Sequence, residues 1–323
     1  MSDRGRSAPS FGIKTTPAHV GYADILRVWR EADEIPEIEH AWLYDHLMPR
    51  AAVELSARDP ERVGQPAAAG PGTAGPVFEG WTLLAALAAR TRRLRLGLLV
   101  TNNRIRHPAL LAKMAATVDV ISGGRLDFGI GVGGFPRRDP RFDVMVAPEY
   151  EAYGIPIGAW GDAVGAFGEA LAIVRRMWSG EVFDFAGEYY RLTGAHCDPA
   201  PQQRPHPPIL MAGSGASTLP LVAEYADLWN VIGPPLAPVA RLTEHSRALD
   251  EQCAAIGRDP ALITRSVQLP ITYAEPARTR DVLLELIDAG FTHLVLNPPA
   301  PFPDGVARWI ADELIAPTLG AID

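Results

Sequence analysis

The chain alternates short apolar runs with longer helical patterns, and this alternation constrains its fold more than any other feature. Across 323 residues, an apolar run of strand length is followed by a helical pattern eight times. Parallel strands need a crossover connection, which a helix usually provides. Eight strand–helix units close a parallel barrel, and such barrels run to about 250 residues before insertions. We therefore predict an α/β fold, a single (β/α)8 TIM barrel domain over residues 1–323.

The predicted elements follow from apolar runs, helical periodicity and terminating residues. The strands are 11–14, 41–47, 94–100, 126–132, 209–212, 228–232, a run within 263–273, and 293–297. The helices are 22–33, 81–90, 108–122, 161–178, 217–225, 238–256, 278–289 and 306–315. A doubly wound open sheet is the alternative, but it usually carries a glycine-rich turn after the first strand, and this sequence has none there.

Three segments do not fit the repeat and are predicted to be insertions. They lie near residues 51–76, 135–160 and 183–197. The first two follow strands, so we expect them at the C-terminal face, where barrel active sites are built. The third is predicted to form a small hairpin around Ala186-Gly187.

Composition limits the partners of this chain. Hydrophobic residues make up 47% of it, which fills a large core, and the net charge of −8 argues against nucleic-acid or acidic-membrane surfaces. No apolar run approaches the length of about 18 residues expected of a membrane span. Residues 1–10 are basic and polar, unlike a signal peptide. The two cysteines show no metal-ligand spacing, so we expect a reduced, cytoplasmic setting and no metal site.

An aspartate and a histidine, Asp45 and His46, stand where the second predicted strand ends. Neighbouring strand residues point to opposite faces, so one can face the barrel mouth while the other braces the adjacent loop. Histidine titrates near neutral pH and can pass a proton during hydride chemistry. A solvated loop pair or a helix cap is the alternative interpretation.

Polar and glycine-rich stretches follow two further strands. Thr101, Asn102 and Asn103 end the third strand and could hydrogen-bond a planar, heteroatom-rich ring, although asparagine is also common in turns. Glycines at 129, 131, 133 and 134 lack the context of a dinucleotide fingerprint. Gly131 and Gly133 are better interpreted as removing side-chain bulk where a flat cofactor or the backbone passes closely.

The turn after the fifth strand contains Gly213, Ser214 and Gly215 and leads into a helix. Backbone amides there, with nearby hydroxyl groups, could hold a phosphate. A serine-capped helix with glycines for a tight turn is an equally good interpretation.

Taken together, these stretches resemble the luciferase-like monooxygenase superfamily, and within it the branch of oxidoreductases that use the deazaflavin coenzyme F420. The resemblance covers most of residues 11–233. It rests on the runs 42–46 (WLYDH), 106–114 (RHPALLAKM), 122–126 (SGGRL), 149–156 (EYEAYGIP), 204–209 (RPHPPI) and 225–230 (YADLWN). The branch implies a barrel, usually a homodimer, with a flavin or deazaflavin across the C-terminal mouth and a small-molecule substrate.

The resemblance also implies roles for individual residues. Asp45 lies beside the deazaflavin ring, and His46 is the candidate catalytic acid or base. Leu98, Leu99 and Thr101 line the ring, with a non-proline cis bond between the first two. The phosphate-binding turn corresponds to residues 213–215, which a general barrel rule would not predict, since such sites more often follow strands seven and eight.

The sequence departs from its relatives after the fourth strand. Relatives often carry Trp or Glu where this chain has Gly134-Phe135, and some use that Glu as a second proton-transfer group. The expected activity is hydride transfer between the deazaflavin C5 and a small organic substrate. Two alternatives stay open: an FMN-dependent monooxygenase that activates oxygen, and a cofactor-binding barrel without turnover.

Overall fold

The computed structural model describes residues 8–49, 75–134 and 147–322. It forms a closed (β/α)8 barrel, which confirms the predicted fold. The strand order is β3-β2-β1-β11-β10-β9-β8-β5, and pairing of β3 with β5 closes the ring. The strands are β1 (Ser10–Lys14), β2 (His40–Leu43), β3 (Arg95–Leu98), its continuation β4 (Thr101–Asn102), β5 (Leu126–Gly131), the hairpin strands β6 (Phe183–Ala186) and β7 (Arg191–Ala195), β8 (Ile209–Ala212), β9 (Leu228–Ile232), β10 (Thr264–Pro270) and β11 (His293–Asn297).

Helices follow the barrel strands and cover the outside of the ring. They are α1 (Tyr22–Asp33), α2 (Gly80–Ala88), α3 (Pro108–Ser122), α4 (Ala147–Ala152), α5 (Trp160–Trp178), α6 (Leu219–Tyr225), α7 (Val239–Ala255), α8 (Pro276–Asp288), α9 (Val306–Ile310) and α10 (Ala316–Leu319), with a 3-10 turn at Pro260–Leu262 and a π-helical turn at Ala311–Ile315. No helix in the described ranges is long and apolar enough to cross a membrane.

The strands divide their side chains between two cores. Ala41 and Leu43 of β2 belong to the large core between the strands and the helices. The alternate residue Trp42 packs inside the barrel, in a cluster with Leu99, Leu210 and Val295. A Cβ at Gly97 would lie 2.6 Å from the Trp42 ring, so glycine at that position makes room for the indole.

Helix α3 begins and ends where the sequence predicts. Pro108 occupies the first turn, and the His107 side chain accepts a hydrogen bond from the Ala109 amide at 3.3 Å. Gly123 ends the helix with a left-handed φ of 69°, which glycine adopts without strain.

Other predicted boundaries differ from the structure. The second strand ends at Leu43 rather than at residue 47, and the chain from Tyr44 onward continues without strand pairing. The first insertion lies largely outside the described residues, as do residues 135–146 of the second, whose remainder contains α4. The predicted hairpin is confirmed as β6 and β7. Its turn reaches the N-terminus of α3, where the Tyr190 and His107 rings meet edge-on at 5.4 Å.

Candidate active site

His46 lies just past the C-terminal end of β2 and is held by a carboxylate from a distant helix. Its Nδ1 donates a hydrogen bond of 3.0 Å to Oε2 of Glu149, on α4. The His46 side chain keeps 16% of its surface exposed, while Glu149 keeps 1%. The Tyr44 ring meets the imidazole edge-on at 5.6 Å. The predicted acid or base is therefore partly accessible and has a buried, charged partner.

Glu149 also binds the backbone that follows His46. Its Oε1 accepts hydrogen bonds from the amides of Leu47 and of Met48, the latter at 3.4 Å. Burial opposes the negative charge, but the His46 hydrogen bond and charge, together with these amides, hold the pKa of Glu149 below its usual value. The carboxylate is therefore ionised at neutral pH.

Asp45 points away from His46 and into an ion pair. Its carboxylate accepts hydrogen bonds from both terminal nitrogens of Arg106, at 2.7 and 2.9 Å, and from the amide of Asn102 at 3.0 Å. Arg106 also pairs with Glu79, which caps α2 through the amides of Trp81 and Thr82. Burial disfavours the charge of Arg106, yet both carboxylates raise its pKa. Asp45 therefore braces the loop, and its expected contact with the coenzyme stays a prediction.

The end of the third barrel strand presents unpartnered polar atoms. Thr101 Oγ1 and Asn103 Oδ1 are buried and have no hydrogen-bond partner among the described residues. The side chain of Asn102 instead bonds the buried hydroxyl of Tyr150 at 2.9 Å. A buried polar atom without a partner is costly, so Thr101 and Asn103 are the groups here that fit a ring rich in heteroatoms.

The two leucines before this segment take different positions. Leu98 belongs to the outer core, whereas Leu99 belongs to the cluster inside the barrel. Pairing continues to Leu99, whose amide donates to the Leu43 carbonyl at 2.7 Å. The non-proline cis bond joins Leu99 to Val100, so its expected position between Leu98 and Leu99 is wrong by one residue. Of the two side chains, Leu99 is the one on the barrel-interior side.

Neighbouring side chains lie close to Gly131 and Gly133. A Cβ at Gly131 would lie 3.0 Å from Val100, and one at Gly133 would lie 2.4 Å from the Asn102 side chain. Gly133 also has a left-handed φ of 99°. Neighbouring side chains, rather than the backbone of another segment, occupy the space beside both glycines. Their contact with a cofactor stays a prediction.

The turn between β8 and α6 is held by its own hydrogen bonds. The Gly213 carbonyl accepts from the Trp229 indole at 2.7 Å, and the Gly215 carbonyl accepts from the Thr218 hydroxyl at 3.0 Å. Gly213 has a φ of 133°, a conformation that favours glycine. Helix α6 begins at Leu219, two residues later than predicted, because Gly215 accepts the amides of Thr218 and Leu219 in a preceding turn. This geometry leaves room for a phosphate at residues 213–215, and phosphate binding there stays a prediction.

A chain of buried polar side chains runs through the barrel interior, and the sequence analysis missed it. From Lys14 at the end of β1 the hydrogen bonds pass through Gln268, Asn230 (3.0 Å), Ser266 (2.7 Å) and His293 (2.7 Å), whose ring stacks on His40 at 3.8 Å. The signal was present: these polar residues recur at alternate, inward-facing positions of apolar strands. Burial lowers the pKa of His293 to about 3 and that of His40 well below its usual value, so both rings are neutral.

Comparison with known proteins places the chain in a family. The sequence model of the family described as luciferase-like monooxygenase matches residues 9–303 of this chain. The chain belongs to the luciferase-like monooxygenase family. Membership makes it an enzyme, as its sequence predicted.

Two similar relatives are phthiodiolone/phenolphthiodiolone dimycocerosates ketoreductases. That of Mycobacterium kansasii is 33% identical over 255 residues, which cover 77% of this chain and 62% of the relative. That of Mycobacterium tuberculosis strain H37Rv is 34% identical over 254 residues, covering 77% and 60%. The chain thus aligns with about three fifths of the length of these curated relatives.

Several solved structures share the fold. An F420-dependent secondary alcohol dehydrogenase in complex with an F420-acetone adduct superposes with a TM-score of 0.76 at 15% identity, covering 97% of this chain and 99% of that one. A riboflavin lyase with modified FMN gives 0.74 at 15%, covering 98% and 92%. A monooxygenase from Streptomyces bottropensis gives 0.68 at 22%, covering 95% and 99%. At these identities the likeness shows the barrel fold alone.

Proposed function

We propose that this protein is a coenzyme F420-dependent oxidoreductase that reduces a ketone to a secondary alcohol, or runs the reverse reaction. The observation that carries the proposal is the His46–Glu149 pair at the end of β2. Carbonyl reduction by a hydride needs a proton at the oxygen, and a partly exposed histidine with a buried carboxylate partner can supply it. The ketoreductase names of the mycobacterial relatives support a ketone as the substrate class.

The residues divide the work as follows. The bound deazaflavin would supply the hydride from C5. His46 donates a proton to the carbonyl oxygen as the hydride reaches the carbon, and it accepts that proton in the reverse direction. Asp45 and Arg106 hold the loop that carries His46, through the hydrogen bonds described above. The protein therefore contributes orientation and a proton, while the coenzyme carries the hydride.

Several groups support binding of the coenzyme in this barrel. Thr101 and Asn103 offer buried polar atoms that need a partner. The turn at residues 213–215 precedes a helix and has room at Gly215, where a Cβ would meet only the Thr218 hydroxyl, at 3.8 Å. Backbone amides in such a turn bind phosphate. We propose that the ring lies against the end of the third strand and that the phosphate lies against this turn.

A binding and turnover experiment tests the proposal. The purified protein is titrated separately with F420 and with FMN, and then mixed with reduced F420 and a panel of ketones of increasing chain length. We expect F420 binding and ketone-dependent reoxidation of the reduced coenzyme. Tight FMN binding with oxygen consumption and no F420 binding would instead indicate a monooxygenase. F420 binding without turnover of any ketone or alcohol would rule out this substrate class.

The proposal extends to a homodimer in the cytoplasm. Light scattering on the purified protein tests the first point, and fractionation of the source cells tests the second.

A further inference from the structure

We propose that Glu149 is a positioning residue for His46, which it holds in the tautomer and charge state that proton transfer requires. This inference rests on the proposed function and adds a residue to it. The family resemblance suggested a second carboxylate directly after the fourth strand, where this chain has Gly134-Phe135. Glu149 comes from a different element, the short helix α4.

The two oxygens of Glu149 bind different groups. Oε2 accepts the hydrogen bond from His46 Nδ1 at 3.0 Å, and Oε1 accepts from the amides of Leu47 and Met48. An ionised carboxylate can only accept hydrogen bonds, so Nδ1 must carry the proton. The neutral imidazole then has its lone pair on Nε2, and the protonated imidazole has a second N–H there. Nε2 is therefore the atom that gives or takes the proton.

Helix α4 is fixed in place independently of this contact. The Tyr150 side chain is fully buried and bonds Asn102 at the end of the third strand. Just past the helix, the Tyr153 hydroxyl donates to the carbonyl of Leu47, in the loop that carries His46, at 3.4 Å. Because the buried Tyr150 contact is separate from that loop, we expect the carboxylate to keep its place while the charge on His46 changes. This rigidity is what a positioning residue needs.

Glu149 is placed to stabilise an imidazolium at His46. Asp45, next in the chain, is neutralised by Arg106, which also pairs with Glu79. Tyr44 meets the ring with its edge, and Arg104 lies over the Tyr150 ring at 5.1 Å. Among the described residues, Glu149 is therefore the carboxylate paired with His46. An opposite charge in contact favours the protonated form of a histidine.

Glu149→Gln separates positioning from simple loop bracing. The amide oxygen of glutamine can still accept from Leu47 and Met48, so the loop keeps its anchor. Its NH2 group would face Nδ1 and donate to it, which reverses the tautomer and removes the charge. Glu151→Gln is the matched control, since Glu151 lies two residues away on the same helix and is exposed.

The first measurement needs no coenzyme. In apoprotein with 15N-labelled histidine, NMR reports the tautomer of His46 and its titration midpoint. We expect Glu149→Gln to reverse the tautomer and to lower the midpoint by about one pH unit or more. Glu151→Gln should change neither. A wild-type His46 protonated on Nε2, or a midpoint that Glu149→Gln leaves unchanged, would overturn the proposal.

The second measurement follows turnover with reduced F420 and a ketone as pH varies. Glu149→Gln should lower kcat by roughly 10²-fold, with little change in coenzyme affinity. In a His46→Gln background the same change should have no further effect beyond about twofold, because Glu149 acts through His46. Equal losses in both backgrounds would make Glu149 a structural residue and overturn the proposal. If the wild-type protein has no F420 activity, the proposed function is overturned instead. The apoprotein titration still tests whether Glu149 controls the tautomer and the titration midpoint of His46.

Discussion

Asp45 and Arg106 form a bidentate ion pair, with oxygen–nitrogen distances of 2.7 and 2.9 Å, directly beside the candidate catalytic histidine. The Asp45 side chain is fully buried, and Arg106 keeps 8% of its side chain exposed. The pair ties the end of β2 to the segment after β4. The loop that carries His46 therefore depends on a buried charge pair, and this dependence can be measured.

Removing Arg106 should be strongly destabilising. Arg106→Met would leave the Asp45 carboxylate buried without its cation, and breaking a buried pair in this way costs roughly 3–5 kcal/mol. Urea unfolding measures the loss of free energy of unfolding. Arg278→Met is the control, since Arg278 pairs with Glu275 at the surface, with 79% and 58% of the side chains exposed. Exposed pairs contribute about 0–1 kcal/mol. Similar small losses in both variants would contradict the structural role of Asp45.

The stability of the protein should fall as pH drops below about 6.5, the ordinary pKa of histidine. Burial lowers the pKa of His293 to about 3, and burial and the neighbouring His293 ring lower that of His40. In this pH range both histidines bind protons in the unfolded chain but not in the folded protein. Unfolding therefore becomes more favourable as pH falls. Each histidine contributes up to about 1.4 kcal/mol per pH unit.

Urea unfolding between about pH 6 and pH 5 tests this, above the range in which ordinary carboxylates titrate. His293→Asn should make the dependence of stability on pH less steep, whatever its effect on stability itself. His196→Asn, at an exposed position, should leave the steepness unchanged. A wild-type stability that does not vary over this interval would show that the buried rings accept protons in the folded state.

The Thr101 hydroxyl should matter for coenzyme binding and not for folding. Thr101→Val keeps the shape and removes a buried hydroxyl that has no partner among the described residues. The free energy of unfolding should stay the same or rise by about 1 kcal/mol, because an unpaired buried polar group is costly. F420 affinity should fall by about tenfold, the equivalent of one hydrogen bond. If affinity is unchanged in the folded variant, Thr101 is not a ring contact.

Gly215→Asp should weaken coenzyme binding through charge. The position has room, because a Cβ there would meet only the Thr218 hydroxyl, at 3.8 Å, so the variant should fold. A carboxylate beside a phosphate should lower affinity by tenfold or more, since about 1.4 kcal/mol of repulsion is enough. Gly215→Ala is the matched control and should bind nearly as well as wild type. If F420 titration shows that both variants bind equally well, the phosphate binds in another part of the barrel.

Much of the fold was predictable because the strand pattern is local. The predicted bounds of β8, β9 and β11 agree with the structure residue for residue. Each is a short, largely apolar run whose middle residues are buried on both faces, and its limits depend on nearby residues. The end of β2 was predicted too late. The apolar run continues past Leu43, but at that point the chain leaves the sheet for Asp45 to reach Arg106.

The site was predictable only in part, because its partners come from distant parts of the chain. The sequence predicted separate roles for Asp45 and His46, and the structure gives them different partners, Arg106 and Glu149. Nothing local to His46 indicates Glu149, which lies 103 residues further along. Likewise, the side chains of Val100 and Asn102 lie against Gly131 and Gly133, and nothing local in the sequence indicates these contacts.

The most direct test of the active site is His46→Gln. Glutamine can still donate a hydrogen bond to Glu149, so the buried carboxylate keeps a partner and the stability should change little. His46→Ala is less suitable, because it would leave Glu149, with 1% of its side chain exposed, without that partner. F420 affinity should also change little, because the groups proposed to hold the coenzyme lie on other strands. Turnover of reduced F420 with a ketone should fall by roughly 10²-fold, since glutamine cannot transfer a proton. If the glutamine variant turns over at the wild-type rate, His46 only orients the substrate or ring, and the proton must come from Tyr44 or from solvent.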